Sequence, residues 1–239
     1  LGLLMSLKIL FSPGDKVWIE DPQYPLLRAA TRTQDIVPVF VPVDKEGFNL
    51  QKALEIDPTA KGVFLTPSHQ CPLGMMTSIQ RRRDILQWAS ETGGWIVEDD
   101  YDSELRYGGN LAYPSLQGMD SGNNVIYIGT FSKSLFPGLR LGYMVVPDDL
   151  VKAFSGMRFL IDRQSNEILQ LSVAEFIKTG LYETHLLKMR RIFEARRDYL
   201  IEAVSDNFSD WGKFIATGQG MHMTFVFNNP DIDDEAVAD

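Results

Sequence analysis

This chain has little of several things that would place it at once. Its one cysteine, Cys71, among 239 residues excludes an internal disulfide framework and leads us to expect a reducing, cytoplasmic setting. No apolar run reaches the roughly 18 residues of a spanning helix, so no membrane partner is expected. The opening LGLLMSLKILF has neither a basic leading segment nor a small-residue cleavage site and does not read as a signal peptide. Positive charge is scarce: 23 Lys and Arg stand against 32 Asp and Glu, for a net charge of −9. That argues against a surface that coats nucleic acid. Repeats and low-complexity stretches are absent. There is no leading methionine, and the closing NPDIDDEAVAD opens a segment without finishing it. The chain therefore reads as a piece of a longer one, truncated at both ends.

What is present is an ordinary globular composition, 44% apolar and 23% charged, enough for a sizeable core. Six short runs read as strands: 17–20, 36–43, 62–66, 95–99, 125–130 and 142–146. Helical patterns over 3–12, 24–33, about 48–55 and 79–92 alternate with them, the last opened by Thr77 and Gln80 at capping-box spacing. This order predicts an α/β fold, a mainly parallel sheet with helices on both faces. Prolines in the second run suggest an edge position or loop margins. After Pro147 the pattern turns helical over 148–161, 167–178 and 183–205, and 221–228 reads as a strand opening a smaller α/β domain. The face of the third helix carrying Arg190, Arg191, Glu194, Arg196 and Arg197 reads as a solvated face with i,i+4 pairs in preference to a nucleic-acid stripe. The resulting division is a large domain over 1–160, connecting helices over 161–205, and the start of a small C-terminal domain over 206–239.

Ligands of open α/β sheets bind beyond the carboxyl ends of strands. Three loops fall there: TPSHQCPLG (66–74), EDDYDSELRY (98–107) and GTFSK (129–133). In the last, a strand delivers Lys133 amid the hydroxyls of Thr130, Ser132 and Ser134. Arg140 follows seven residues on, after a Pro-Gly turn. Hydroxyls and a guanidinium suit a phosphate, and an amine suits an aldehyde. A site that binds both is a site for pyridoxal 5′-phosphate (PLP), held as a Schiff base on Lys133. A lone Ser-Lys carries no such message; the extended pattern does.

That pattern resembles the cofactor-lysine segment of fold-type I PLP-dependent enzymes, the aminotransferase class I/II superfamily. The wording GTFSK…P…LRLGYMV is most similar to the aminotransferase-like domain of MocR/GabR-type transcriptional regulators. The resemblance covers nearly the whole chain and implies the PLP-dependent transferase fold of type I. It also implies roles. Asp99 would stand beside the ring nitrogen and raise its pKa, Tyr101 would bond the ring 3′-oxygen, and Tyr24 of EDPQYP would stack on the ring. Arg140, with Thr130 and Ser132, would hold the phosphate. Gln23 stands where the family usually has glycine. Cys71 stands where free-standing aminotransferases usually have asparagine, which removes one ring contact and favours the regulators. Lys133 would form the cofactor link and then, freed by an incoming amine, move a proton, helped by burial and by Arg140. The family's first strand, whose loop adds phosphate donors, has no counterpart among the six.

Other readings stand beside these. The acidic run could invite Mg²⁺ or Ca²⁺ but lacks a calcium-loop spacing, and no metal site is expected. His69 reads as a structural loop histidine, and Cys71 has no basic neighbour to make it a nucleophile. Taken alone, Tyr24 would be a packing tyrosine and Arg140 a salt-bridged one. Two functions follow: an effector domain that binds an amino acid or other small amine, touching DNA only through a segment before Leu1, or a free-standing aminotransferase acting on an amino acid and a 2-oxo acid. A fragment that binds nothing is the third. A homodimer is expected, because fold-type I sites lie at dimer interfaces.

Overall fold

The computed structural model describes residues 1–107, 113–164, 166–215 and 218–238. Its elements run α1 (Gly2–Leu10), β1 (Lys16–Asp21), α2 (Pro25–Thr33), β2 (Val37–Asp44), β3 (Gly47–Phe48), α3 (Leu50–Ile56), β4 (Gly62–Leu65), α4 (Ile79–Thr92), β5 (Trp95–Asp100), α5 (Leu116–Met119), β6 (Val125–Thr130) and β7 (Gly142–Val145). There follow α6 (Val151–Asp162), α7 (Glu167–Lys178), α8 (Leu181–Phe208), β8 (Gly212–Ile215), β9 (Thr224–Phe227) and α9 (Asp234–Ala238).

The larger sheet has the order β3-β2-β1-β4-β5-β6-β7. Strands β2, β1, β4, β5 and β6 are parallel, and β7 returns antiparallel to β6. All six strands read from the sequence are present. The seventh described strand is β3, two residues antiparallel to Val43 and Asp44, which the sequence presents as the margin of a turn. Since β3 touches β2 only there, most of β2 has β1 on one side alone, and Pro38 and Pro42 sit where a missing N–H costs no ladder bond.

Period-two alternation gives the sheet two apolar faces. On one, Trp18, Val63, Leu65, Ile96 and Val125 pack against Ile85, Trp88 and Ala89 of α4 and Leu116 of α5. On the other, Val17, Ile19, Phe64, Val97 and Ile126 pack against Met5 and Leu7 of α1, Leu27 of α2 and Phe154 of α6. Helix α4 starts one residue later than the capping-box spacing suggests. Ser78 is its N-cap, and its Oγ accepts from the Arg81 N–H at 3.4 Å. The smaller sheet pairs β8 with β9 antiparallel, and Phe214, Phe225 and Phe227 meet edge to face along it.

The chain passes from β1 outward to β2, then returns to β4 on the other side of β1. The order reverses between β1 and β4, and a crevice opens beyond their carboxyl ends. One wall of this end is braced by Arg82, fully buried on α4. It donates to the carbonyls of Thr77 (3.0 Å), Pro67 (2.7 Å) and Pro114 (3.2 Å) and lies 3.7 Å from Glu98. Replacing one member of such a pair leaves the other charge buried alone. We expect Arg82→Met to lower unfolding stability by about 3 kcal/mol in urea titration, and adding Glu98→Gln to restore part of it. Full additivity of the two losses would show that they act independently.

Candidate functional site

Three successive acids end β5. Alternation puts Glu98 and Asp100 on one face and Asp99 on the other. The first two are satisfied. Glu98 accepts from the N–H groups of Leu116 and Gln117, both at 3.0 Å. Asp100 accepts from the Tyr127 hydroxyl at 2.9 Å and the Ser103 N–H at 3.2 Å. Asp99 is half-buried, and among the described residues no donor reaches its carboxylate. Burial, then the nearby Asp100 charge, pushes its pKa up to about 7. It lines one hollow with Glu20 at the end of β1, Thr66 after β4, and Tyr24 and Gln23 of the β1–α2 loop. These are the carboxyl ends of the strands that flank the reversal.

Glu20 answers Asp99 across this hollow. Its Oε2 accepts from both the N–H (3.0 Å) and the hydroxyl (2.7 Å) of Thr66, while Oε1 is buried with no hydrogen-bond partner among the described residues. Burial raises its pKa to about 7. Thr66 Oγ1 in turn accepts the Cys71 N–H at 3.0 Å. The buried Gln70 side chain donates to the carbonyls of Pro22 (2.7 Å) and Cys71 (2.8 Å), and so ties the Tyr24 loop to the Cys71 loop. The Asp21–Pro22 and Cys71–Pro72 peptides are both cis. Glu20, Thr66 and Gln70 are not assigned roles from the sequence, although they stand inside the EDPQYP and TPSHQCPLG segments; their mutual contacts are what the motifs do not show.

Lys133 lies in the loop between β6 and β7. The antiparallel return closes that loop at its base, where Thr130 pairs with Gly142 and the Phe131 N–H donates to the Leu141 carbonyl at 3.1 Å. This closure explains the seven-residue offset: Lys133 and Arg140 occupy one short excursion. The approach is tight, since a Cβ on Gly129 would meet the Tyr143 hydroxyl at 2.7 Å. Arg140 has a left-handed backbone (φ +50°), which a non-glycine residue adopts only at a cost of about 1 kcal/mol or more. It is exposed, and among the described residues no carboxylate pairs with it, unlike an arginine serving as a loop brace. Thr130 and Ser132 are half-buried, and the Thr130 hydroxyl accepts the Ser132 N–H at 3.1 Å.

Two expectations change here. Lys133 is exposed in this chain, whereas the sequence reading expects it to be buried. Ser134 is buried and engaged elsewhere: its Oγ accepts from the Tyr182 hydroxyl at 2.8 Å, and its carbonyl accepts from His185 Nε2 at 2.9 Å. Both partners belong to α8. The arginine face of α8 is not simply solvated either. Arg190 Nε donates to the Glu104 carbonyl at 2.6 Å, and Arg197 lies 4.7 Å over the Tyr107 ring.

Cys71 is the meeting point of the two halves. The charges of Glu20, Asp99, Asp102 and Lys133 all act on its thiol, and burial first, then the carboxylates, pushes its pKa up to about 11. Such a thiol stays neutral. Tyr101 is one residue beyond β5, its hydroxyl 3.2 Å from His69 Nδ1. His69 sits between Tyr101 and Asp102 with His222 beside it, and one polar atom from each of His69, Asp102 and His222 lies within 4.8 Å of the others. These residues are too far apart in sequence to form a motif.

The donor set fits a flat molecule with a basic nitrogen at one end and a phosphate at the other. Among the described residues no side-chain cation pairs with the Asp99 carboxylate and no anion with the Arg140 guanidinium, and Tyr24 leaves an aromatic face exposed between strand ends.

The family model for aminotransferase class I and II matches residues 2–236. The chain is 40% identical over 221 residues to the uncharacterized HTH-type transcriptional regulator YdeL of Bacillus subtilis, covering 92% of this chain and 47% of that protein. It is 35% identical over 230 residues to the probable rhizopine catabolism regulatory protein MocR of Rhizobium meliloti, covering 96% and 46%. Among solved structures, the kynurenine aminotransferase of Pyrococcus horikoshii, in complex with PMP, superposes with a TM-score of 0.89 at 29% identity over 98% of this chain and 59% of that one. LysN, the alpha-aminoadipate aminotransferase of Thermus thermophilus, complexed with N-(5′-phosphopyridoxyl)-L-leucine, gives 0.89 at 27% identity, covering 98% and 60%. The chain thus spans about half the length of the curated relatives it matches. Its mixed sheet, its loops at the strand ends and these matches together make it a member of the aminotransferase class I and II family.

Proposed function

We propose that this chain binds pyridoxal phosphate and forms the amine-sensing part of a DNA-binding transcriptional regulator of the MocR/GabR type. The observation that carries the cofactor half is Asp99, a carboxylate at a strand end with no donor among the described residues and a pKa raised to about 7. Such a group gains most from a protonated ring nitrogen. Lys133 supplies the amine for the cofactor aldehyde. Arg140, Thr130 and Ser132 bind the phosphate, Tyr24 flanks the ring, and Tyr101 donates to its 3′-oxygen. Bound pyridoxal phosphate supplies an aldehyde that takes up amines and a ring that draws electrons from the carbon next to the nitrogen.

The regulator half is supported by the 40% and 35% identities to regulators and by Cys71, a neutral thiol beside the ring position. DNA contact belongs to a part of the protein outside this chain. The exposed apolar side chains Leu160, Ile168 and Leu171 on α6 and α7 suit a second copy of the protein. A free-standing aminotransferase is the alternative, favoured by the 0.89 superposition on the kynurenine enzyme.

Three measurements test this. With PLP, the full-length protein should show a visible band distinct from that of the free cofactor, and Lys133→Ala should remove it. An unchanged band in the variant would exclude Lys133. Asp99→Ala should weaken PLP binding roughly ten- to a hundredfold, whereas Asp100→Ala should act on stability through Tyr127 and leave affinity within about threefold.

The third is a pH dependence of the apo-protein. Glu20 and Asp99 have folded pKa values near 7, above their ordinary values. Raised carboxylates contribute stability that is complete below about pH 4 and lost as pH rises through about 7. Between pH 5 and pH 8 the apo-protein should lose up to about 5 kcal/mol through the two groups, at about 1.4 kcal/mol per pH unit for each below its folded value, and the double variant Glu20→Gln/Asp99→Asn should flatten the profile. A wild-type profile that is flat across that range, and unchanged in the double variant, would show both carboxylates to be ionised already.

A further inference from the structure

Beside the proposed cofactor position lies a buried polar pair, His69 and Asp102, to which no role has been given, and it reaches the site through Tyr101. His69 and Asp102 are each 2% exposed. His69 Nδ1 is 2.9 Å and 3.1 Å from the two Asp102 oxygens and 3.2 Å from the Tyr101 hydroxyl. The Met221 N–H also donates to Asp102 Oδ2, at 3.3 Å. An oxygen faced by two nitrogen donors is an acceptor, so the hydrogen of His69 resides on Nδ1. That nitrogen then has no lone pair left for Tyr101. The Tyr101 oxygen receives a minor share of the same N–H, and its own proton must be offered elsewhere. Burial, then the charge of Asp102, holds the Tyr101 hydroxyl protonated far above its ordinary range.

The segment 219–222 seals this cluster. The Gly220 N–H donates to the Leu105 carbonyl at 2.7 Å, and the Tyr107 hydroxyl donates to the Gly220 carbonyl. Gln219 Nε2 donates to the Ser68 carbonyl, and His222 Nε2 donates to that of Pro72 at 3.0 Å. Gly220 has φ +79°, and a Cβ there would meet Asp102 Oδ2 at 2.6 Å. With water excluded, the Asp102–His69 bond keeps its strength.

We propose that His69, oriented by Asp102, is a positioning residue that keeps the Tyr101 hydroxyl a donor aimed into the cofactor site, at the 3′-oxygen. This rests on the pyridoxal phosphate reading given above. The charged and titratable groups around Tyr101 and His222 are Asp102, Cys71, Asp99, Glu20, His69 and Lys133. All of them are left in place by the substitutions below except the one replaced.

The test uses the full-length protein. In the PLP-loaded form, the pH midpoint of the visible band is measured for Tyr101→Phe, His69→Phe, Asp102→Asn and the double variant Tyr101→Phe/His69→Phe. Tyr101→Phe should move the midpoint by about one unit, a tenfold change in proton affinity. His69→Phe and Asp102→Asn should move it in the same direction by at least half as much. His69→Gln, which keeps an N–H, should restore part of the shift, and the double variant should match Tyr101→Phe alone. A His69→Phe shift that adds in full to that of Tyr101→Phe, or no shift at all, would overturn the proposal.

A second measurement does not depend on cofactor. The apo-protein should show a downfield imidazole N–H proton by NMR that disappears in His69→Phe, moves upfield in Asp102→Asn and persists in Tyr101→Phe. Absence of that proton from the wild type overturns the dyad, as does stoichiometric Zn²⁺ uptake that abolishes it, since His69, Asp102 and His222 would then be ligands. If the wild type shows the proton but takes up no PLP, the pyridoxal reading and Tyr101's role at the 3′-oxygen both fall, and only the hydrogen-bonded pair stands.

Discussion

The site depends on how β5 ends. A strand side chain has only two faces to choose from, and the three acids at 98–100 are sorted by that rule. Glu98 and Asp100 turn towards α4, α5 and Tyr127, where backbone N–H groups, a buried guanidinium and a phenol satisfy them. Asp99 turns the other way and meets no donor among the described residues. A carboxylate in that position costs free energy unless protonated or matched by a cation, so the fold stores a demand for a positive partner where the sheet order reverses. A slip of one residue in β5 would exchange the roles of these acids and remove the demand.

The remaining groups are gathered by loops that hold one another. Gln70 bonds the carbonyls of Pro22 and Cys71, and Thr66 links Glu20 to the Cys71 backbone. The lysine loop is shaped separately by the antiparallel return of β7. Two independently braced supports thus face each other across Cys71, which feels charge from both sides.

Much of this was legible in the sequence because it is local. Apolar periodicity placed α4 at 79–92 and α7 at 167–178, and the motif around Lys133 pointed to its own loop. Thr77, Ser78 and Gln80 offer competing local patterns for the cap of α4; Ser78 makes the cap bond to the Arg81 N–H, and the buried Thr77 hydroxyl has no partner among the described residues. The pairings of Glu20 with Thr66, Gln70 with Pro22 and His222 with Pro72 span 46, 48 and 150 residues. No periodicity encodes contacts of that range. Arg190 and Arg197 of α8 depart from a solvated face for the same reason, since they find partners in the 104–107 loop, whereas Arg191 and Arg196 are exposed as the sequence predicts. The exposure of Lys133 also lay beyond reach, because the residues near it in sequence describe a strand and a turn, not what covers them.

Helix α8 links parts that otherwise stand apart. Near its start, Tyr182 and His185 grip Ser134, the residue after Lys133; in its middle, Arg190 and Arg197 rest on the loop after β5; at its end it runs into β8. Its 28 residues make a rod about 42 Å long. Pivoted where Arg190 and Arg197 rest, near its middle, a tilt of about 3° would move each end by about 1 Å. A shift of that size in the lysine loop would reach the second sheet undiminished.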